Sequence, residues 1–143
     1  MRLKAWMAVA GLATAALAAQ AGQTVEVYKS PYCGCCGEWV QYMKQNGFDV
    51  KAQDVADVST VRKQLGMPQK LAGCHVSTVG GYVVEGHVPA ADVKRLLAEK
   101  PNAIGIAVPS MPPGAPGMPS DKPAHFDTLL VMKDGSYKIF SHH

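Results

Sequence analysis

Three of the chain's four cysteines fall within four residues, in the run Pro31-Tyr32-Cys33-Gly34-Cys35-Cys36-Gly37, at the joint between a strand-like stretch and a helix-like one. Thiols this close together cannot staple distant segments, so the fold has to come from the hydrophobic pattern and not from a disulfide framework. Adjacent Cys35 and Cys36 can pair with each other only through a strained ring. The available disulfides are therefore Cys33 with Cys36, as C-x-x-C, or either of them with distant Cys74. Thiolate is the reactive form of cysteine in disulfide exchange and the preferred ligand of soft metals, so the run points to redox chemistry, metal binding, or both.

The opening residues indicate where that chemistry takes place. Met1-Arg2-Leu3-Lys4 is a short positive head, Ala5 to about Ala18 is apolar and uncharged, and Ala19-Gln20-Ala21 offers a small-x-small cleavage site. The apolar run is shorter than the roughly 20 residues a bilayer span needs, so residues 1–21 read as a cleavable signal peptide. Export to the periplasm by the general route is expected, with no membrane attachment after cleavage. What remains is long enough for one domain with a modest core: residues 22–102, with residues 103–143 as an extension packing on the same domain. Net charge is +3 and no basic patch carries interleaved aromatics, so nucleic acid is not an expected partner. No apolar helix stripe is left over for a dimer interface, and a monomer is expected.

Periodicity then orders the elements. Thr24 to Lys29 alternates as a strand. Trp39, Val40 and Met43 recur at helical spacing until Gly47. Phe48 to Val55 reads as a second strand, and a short helix capped by Asp57 or Ser59 ends at Met67-Pro68. Cys74 to Val79 and Tyr82 to Val84 form a hairpin joined at Gly80-Gly81, and a helix from Pro89 ends near Lys100-Pro101. This β-α-β-α-β-β-α order resembles the thioredoxin/glutaredoxin plan, giving an α/β fold class. Beyond it, Ile104 to Val108 is a short apolar segment. Pro109 to Pro123 holds six of the ten prolines together with Met111 and Met118, and must be a loop. Phe126 to Met132 and Ser136 to Phe140 form a last hairpin around Asp134-Gly135.

In such a plan the cysteine run enters the first turn of the helix, where free N–H groups and the helix dipole favour thiolate. Cys33 and Cys36 are the expected redox pair. Consecutive Cys35 and Cys36 diverge by about 100° around a helix, so they suit bridging of neighbouring ions better than a closed tetrahedral zinc site. The spacing matches no usual iron–sulfur run. Copper, as Cu(I) in a thiolate-bridged multinuclear cluster, ranks first and zinc second. Cys74 is the expected fourth sulfur, His87 a candidate ligand or redox neighbour, and Met118 and Met111 candidate thioether ligands. By the period-2 rule His75 points away from Cys74 and reads as structural or surface. His125, His142 and His143 read as solvated, the last two as a frayed terminus.

The stretch Val27-Tyr28-Lys29-Ser30-Pro31, the Cys33-Gly34-Cys35-Cys36-Gly37 run, Gly73-Cys74-His75, Gly80 to Pro89, Ala107-Val108-Pro109 and Gly117-Met118 resemble the CopG-type copper-resistance proteins. The resemblance implies a periplasmic thioredoxin-like domain with a C-terminal extension, copper bound beside the C-x-C-C run, and an oxidoreductase role in copper detoxification. It fits a protein that interconverts Cu(I) and Cu(II). A metal-independent thiol–disulfide oxidoreductase using Cys33 and Cys36, and a passive copper chaperone to an efflux system, are the alternatives.

Overall fold

The computed structural model describes residues 23–143; the expected signal peptide lies outside them. Strands β1 (Thr24–Lys29), β2 (Asp49–Asp54), β3 (Val76–Val79), β4 (Tyr82–Glu85), β5 (Gly105–Ala107), β6 (Asp127–Val131) and β7 (Tyr137–His142) alternate with helices α1 (Gly34–Gln45), α2 (Val58–Gln64) and α3 (Ala90–Glu99). A single 3-10 turn, Gln69–Leu71, follows α2. All seven strands join one mixed sheet in the order β2-β1-β3-β4-β5-β6-β7. Pairing is parallel for β1 with β2 and for β4 with β5, each joined by a crossover helix, and antiparallel elsewhere. The expected β-α-β-α-β-β-α order thus runs from β1 to α3, and the short apolar segment after it becomes the strand on which the final hairpin is built.

Side-chain alternation explains why helices cover both faces of this sheet. Val25, Val27, Val84, Ile106 and Leu130 point to one face, where they meet Trp39, Val40 and Met43 of α1 and Val93, Leu96 and Leu97 of α3. Val76, Val83, Ala107 and Val131 point to the other face, against Val58, Val61 and Leu65 beside α2, with Met67 and Leu71. On α1 the buried positions Cys36, Trp39, Val40 and Met43 are spaced i, i+3, i+4, i+7, so one stripe faces the sheet and its first member is a cysteine. Asp57 caps α2 through its carboxylate, which bonds to Ser59 and Thr60 and is thereby held down to about 2. Gly80 and Gly81 both have positive φ, as the two-residue turn between β3 and β4 requires.

The carboxyl-terminal segment corrects one expectation. The last strand continues to His142, and His143 exchanges backbone hydrogen bonds with Phe126 in both directions, at 2.9 and 3.2 Å. Its ring stacks on Phe126 and its Nε2 lies 2.8 Å from Asp92, a buried carboxylate of α3 that also accepts from Thr128 and Ser141. A buried carboxylate needs several donors, and these come from the tail, so His143 is an anchored residue instead of a frayed one. Among the described residues, no helix is long and apolar enough to cross a membrane.

Candidate metal and redox centre

Cys33 caps α1: its backbone is extended, and its Sγ accepts the Cys36 N–H at 3.3 Å. Gly34, Cys35 and Cys36 follow as the first helical turn, with Cys36 fully buried and Cys33 and Cys35 half-buried. Cys33 and Cys36 are joined in a disulfide, the pairing open to a C-x-x-C spacing, while Cys35 and Cys74 are free. Cys74 enters from the sheet. Its Sγ lies 3.3 Å from Cys36 Sγ and 3.8 Å from Cys35 Sγ, and Cys35 Sγ is 3.5 Å from Cys33 Sγ. All four sulfurs lie within 4.8 Å of one another. The divergence expected of Cys35 and Cys36 is therefore smaller in effect than the helical angle suggests, because Cys74 is inserted between them.

The β3–β4 register brings a second donor set to the same point. Val79 pairs with Tyr82 and Val76 with Glu85, so the hairpin extended by two residues sets Cys74 opposite His87, and Gly86 N–H donates to His75 O at 2.9 Å. His87 Nε2 is 2.8 Å from Cys74 Sγ, and its Nδ1 is 2.7 Å from Pro116 O. A carbonyl can only accept, so Nδ1 carries the hydrogen and the Nε2 lone pair faces the thiol. Burial and then the neighbouring Cys35 push the Cys74 thiol up to about 12, and burial lowers His87, so the pair is a neutral S–H donating to nitrogen. A cation that displaces the thiol proton would find sulfur and imidazole nitrogen both directed at it, with Pro116 O holding the ring from behind.

His75 is not where the period-2 rule put it. Strand β3 begins only at Val76, and His75 is wholly buried with Nδ1 3.4 Å from Cys74 Sγ. Its ring packs on Trp39 at 4.6 Å and meets His87 edge-on at 5.1 Å, while its Nε2 is buried with no protein partner. Burial first, then His87, Arg62 and Lys29, lowers its pKa from 6.5 to about 3. The unfolded chain takes up this proton near 6.5 and the folded chain does not, so the stability involved is complete above 6.5 and is lost as pH falls toward 3. The slope for one such group is roughly 1.4 kcal/mol per pH unit, and His87 adds to it in the same sense. Urea unfolding of the metal-free chain should show a lower midpoint at pH 5 than at pH 7.5, and His75→Phe, which keeps the packing on Trp39, should flatten the dependence. An unchanged slope in that variant would exclude His75 as its source.

Sequence reasoning missed the network that fixes Cys74. Arg62 of α2 forks onto Glu85 of β4 through Nε and Nη2 at 2.8 and 2.9 Å, and both side chains are buried. Glu85 also accepts the Gly73 N–H at 2.8 Å, and Arg62 reaches Gly73 O at 3.3 Å, so the residue before Cys74 is held at both backbone groups. The proline-rich loop closes the site from above. Ser110 N–H donates to Ala72 O, and Gly117, at φ +82°, lies so close to α1 that a Cβ would sit 2.9 Å from Trp39 N and 3.1 Å from Cys35 O. Met118 lines a cleft of about 500 Å³ with Glu38, Gly117 and Lys122 beside this closure. Met111 stands farther out on the loop, half exposed, and His125 is exposed, as expected, and joins neither donor cluster.

A mixed α/β sheet carrying a cluster of cysteines able to hold a metal at the start of its first helix defines a thiol-centred α/β protein. Residues 71–118 match a family model described as a protein of unknown function, DUF411. Two solved structures are similar over nearly the whole of their length. Copper resistance protein copG, Form 2, is 35% identical, with 85% of this chain and 98% of that one covered at a TM-score of 0.81. Form 1 of the same protein is 35% identical, with 84% and 96% covered at a TM-score of 0.79. No curated protein matches the sequence. The chain belongs to the CopG family of copper-resistance proteins.

Proposed function

We propose that this chain is a periplasmic copper-binding redox protein of copper resistance. In its reduced state Cys33, Cys35, Cys36 and Cys74 bind copper ions as thiolates in a multinuclear cluster, with His87 through Nε2 and Met118 and Met111 as further ligands. The observation that carries the reading is four sulfurs within 4.8 Å, one of them backed by an imidazole whose free lone pair already faces it. Soft thiolate and thioether donors suit Cu(I), and Cys74, in contact with both Cys35 and Cys36, is placed to bridge ions. Copper is here substrate and cargo: the Cys33–Cys36 dithiol can give two electrons, one to each of two Cu(II) ions, with release of two protons as the disulfide forms, and the disulfide can take two electrons back, which supports interconversion of Cu(I) and Cu(II) alongside storage for efflux components. Cys33 and Cys36 cannot be thiolate ligands while joined, so filling the four-thiolate cluster requires prior reduction.

An anaerobic Cu(I) titration of the reduced chain against a strong chelator, followed by native mass spectrometry, tests this. More than one copper per chain is expected, and Cys36→Ser should lower the stoichiometry by at least one ion. Absence of uptake in competition overturns the reading. The non-bonded sulfur spacings of 3.3, 3.5 and 3.8 Å are near the roughly 3.8 Å edge of a tetrahedral zinc–thiolate site, so a preference for one Zn²⁺ over Cu(I) would also overturn it. The Cys33–Cys36 disulfide itself favours a second reading, a metal-independent thiol–disulfide oxidoreductase. That reading predicts reduction of insulin by the metal-free dithiol.

A further inference from the structure

An enzyme that exchanges disulfides with proteins has to hold an extended segment of its substrate beside the reactive sulfurs, and free main-chain groups there are the usual means. In this chain the backbone that leads past Cys74 into β3 is already engaged. Ala72 N–H donates to Gln69 O at 3.1 Å and Ala72 O accepts from Ser110 N–H at 2.8 Å, while Gly73 N–H donates to Glu85 and Gly73 O accepts from Arg62. His75 O accepts from Gly86 N–H. The start of the proline-rich loop lies directly on this segment: a Cβ on Gly73 would sit 3.2 Å from Val108 O, and one on Gly86 2.5 Å from the same oxygen. Ser110 is held at φ +60°, a left-handed backbone that residues other than glycine rarely adopt, at the point where its N–H meets Ala72 O. Farther on, Pro116 O rests on His87 Nδ1 and Gly117 on the backbone of α1. The loop thus spans the centre from the entry of β3 to the first helix, in the place an extended peptide would take. What stays exposed is the Pro31–Gly34 turn, where Cys33 is half-buried between exposed Tyr32 and Gly34.

We infer that the loop from Val108 to Gly117 sets the substrate class of the dithiol: low-molecular-weight disulfides are admitted at Cys33, and protein disulfides are refused because their extended segments find neither a main-chain partner nor room. With a small disulfide the exchange is complete in itself. The Cys33 sulfur bonds to one sulfur of the substrate as the other leaves in the first product thiol; the Cys36 sulfur then bonds to Cys33 as the second product thiol leaves. The protons of the two cysteine thiols pass through solvent to the two products, the substrate is reduced, and the chain is left with the Cys33–Cys36 disulfide that the structure holds. The inference rests on Cys33 and Cys36 acting as a dithiol and on no metal, so it stands or falls apart from the copper titration. It also separates competence in exchange from reduction of insulin, which this chain should lack even where its dithiol is active.

The test compares two oxidants of the reduced, metal-free chain, hydroxyethyl disulfide and insulin, with acid quenching and mass mapping of the Cys33–Cys36 disulfide, and takes dithiothreitol as an unhindered reference dithiol. The ratio of the insulin rate to the hydroxyethyl disulfide rate should be lower for the chain than for dithiothreitol by about ten-fold or more. A smaller deficit, or an excess, overturns the inference. No reaction with hydroxyethyl disulfide overturns it as well, and with it the dithiol reading itself. Ser110→Pro removes the N–H that meets Ala72 O and cannot adopt a φ of +60°, so it should lift the start of the loop and raise the chain's ratio by about three-fold or more. Gly117→Ala, pushed off α1 by its methyl group, should do the same from the other anchor. If the folded variants keep the parent's ratio, the loop is not the barrier and the inference falls. Should neither variant fold, the parent's ratio against dithiothreitol decides the matter alone.

Discussion

Arg62→Leu should cost about 3–5 kcal/mol of stability, the range for leaving one member of a buried ion pair without its partner. Arg62 supplies two of the three donors to Glu85, a wholly buried carboxylate that retains only the Gly73 N–H once the guanidinium is gone. Burial raises the Glu85 pKa, and the hydrogen bonds and charge of Arg62 are what oppose it, so the variant should keep this carboxyl protonated well above its ordinary range. The sign of the pH dependence follows: an acid with a raised folded pKa stabilises the fold at low pH and loses that contribution as pH rises. Denaturant midpoints of Arg62→Leu should therefore fall between pH 5 and pH 8 more steeply than those of the parent. Adding Glu85→Gln, whose amide oxygen can still accept from Gly73, should recover part of the loss and remove the extra slope. A single variant within 1 kcal/mol of the parent would mean that water reaches Glu85. Since both residues hold Gly73, thiol reactivity at Cys74 should rise in Arg62→Leu even where the fold persists.

Gly105→Ala is expected to be worse, at more than about 4 kcal/mol, in the exceptional tail of single substitutions. A Cβ at Gly105 would lie 1.7 Å from Val83 O and 2.8 Å from Val83 N, which are backbone atoms of β4 with no freedom to swing aside. Strand β5 is only three residues long and is the sole bridge in the sheet between β4 and the β6–β7 hairpin. Displacing it separates the last hairpin from the rest, and with it the Thr128, Ser141 and His143 donors to Asp92. Amide hydrogen exchange should show protection lost across β5, β6 and β7 before β1 and β3. Retained protection there would mean that the β4–β5 pair can slide to admit a methyl group.

Much of the centre was legible because it obeys local rules. Trp39, Val40 and Met43 announce the buried stripe of α1, and the strand before Cys33 places the cysteine run in the first helical turn. Two glycines at positions 80 and 81 define a hairpin, and counting five residues outward from Val79 and Tyr82 reaches Cys74 and His87, so their meeting was available to arithmetic on the sequence. His75 was misjudged because strand alternation was applied one residue before the strand began. Arg62 carries no local signal in the sequence, and only the packing of α2 across β3 and β4 directs it onto Glu85. His143 reads as a loose end until Asp92, 51 residues earlier, is brought beside it. The position of the proline-rich loop had no local rule at all, because its contacts are made by main-chain groups and by the absence of a side chain at Gly117.

That last point bears on how the centre can be probed. The group that decides which nitrogen of His87 faces the sulfur is the main-chain oxygen of residue 116, and every amino acid presents that oxygen. Scanning the loop by side-chain replacement would find position 116 tolerant and would assign the imidazole's orientation to His87 alone. The sensitive position is its neighbour, where only glycine combines a φ of +82° with such close approach to the helix. Specificity for one tautomer is thus encoded one residue away from the atom that enforces it, in a residue with no functional group.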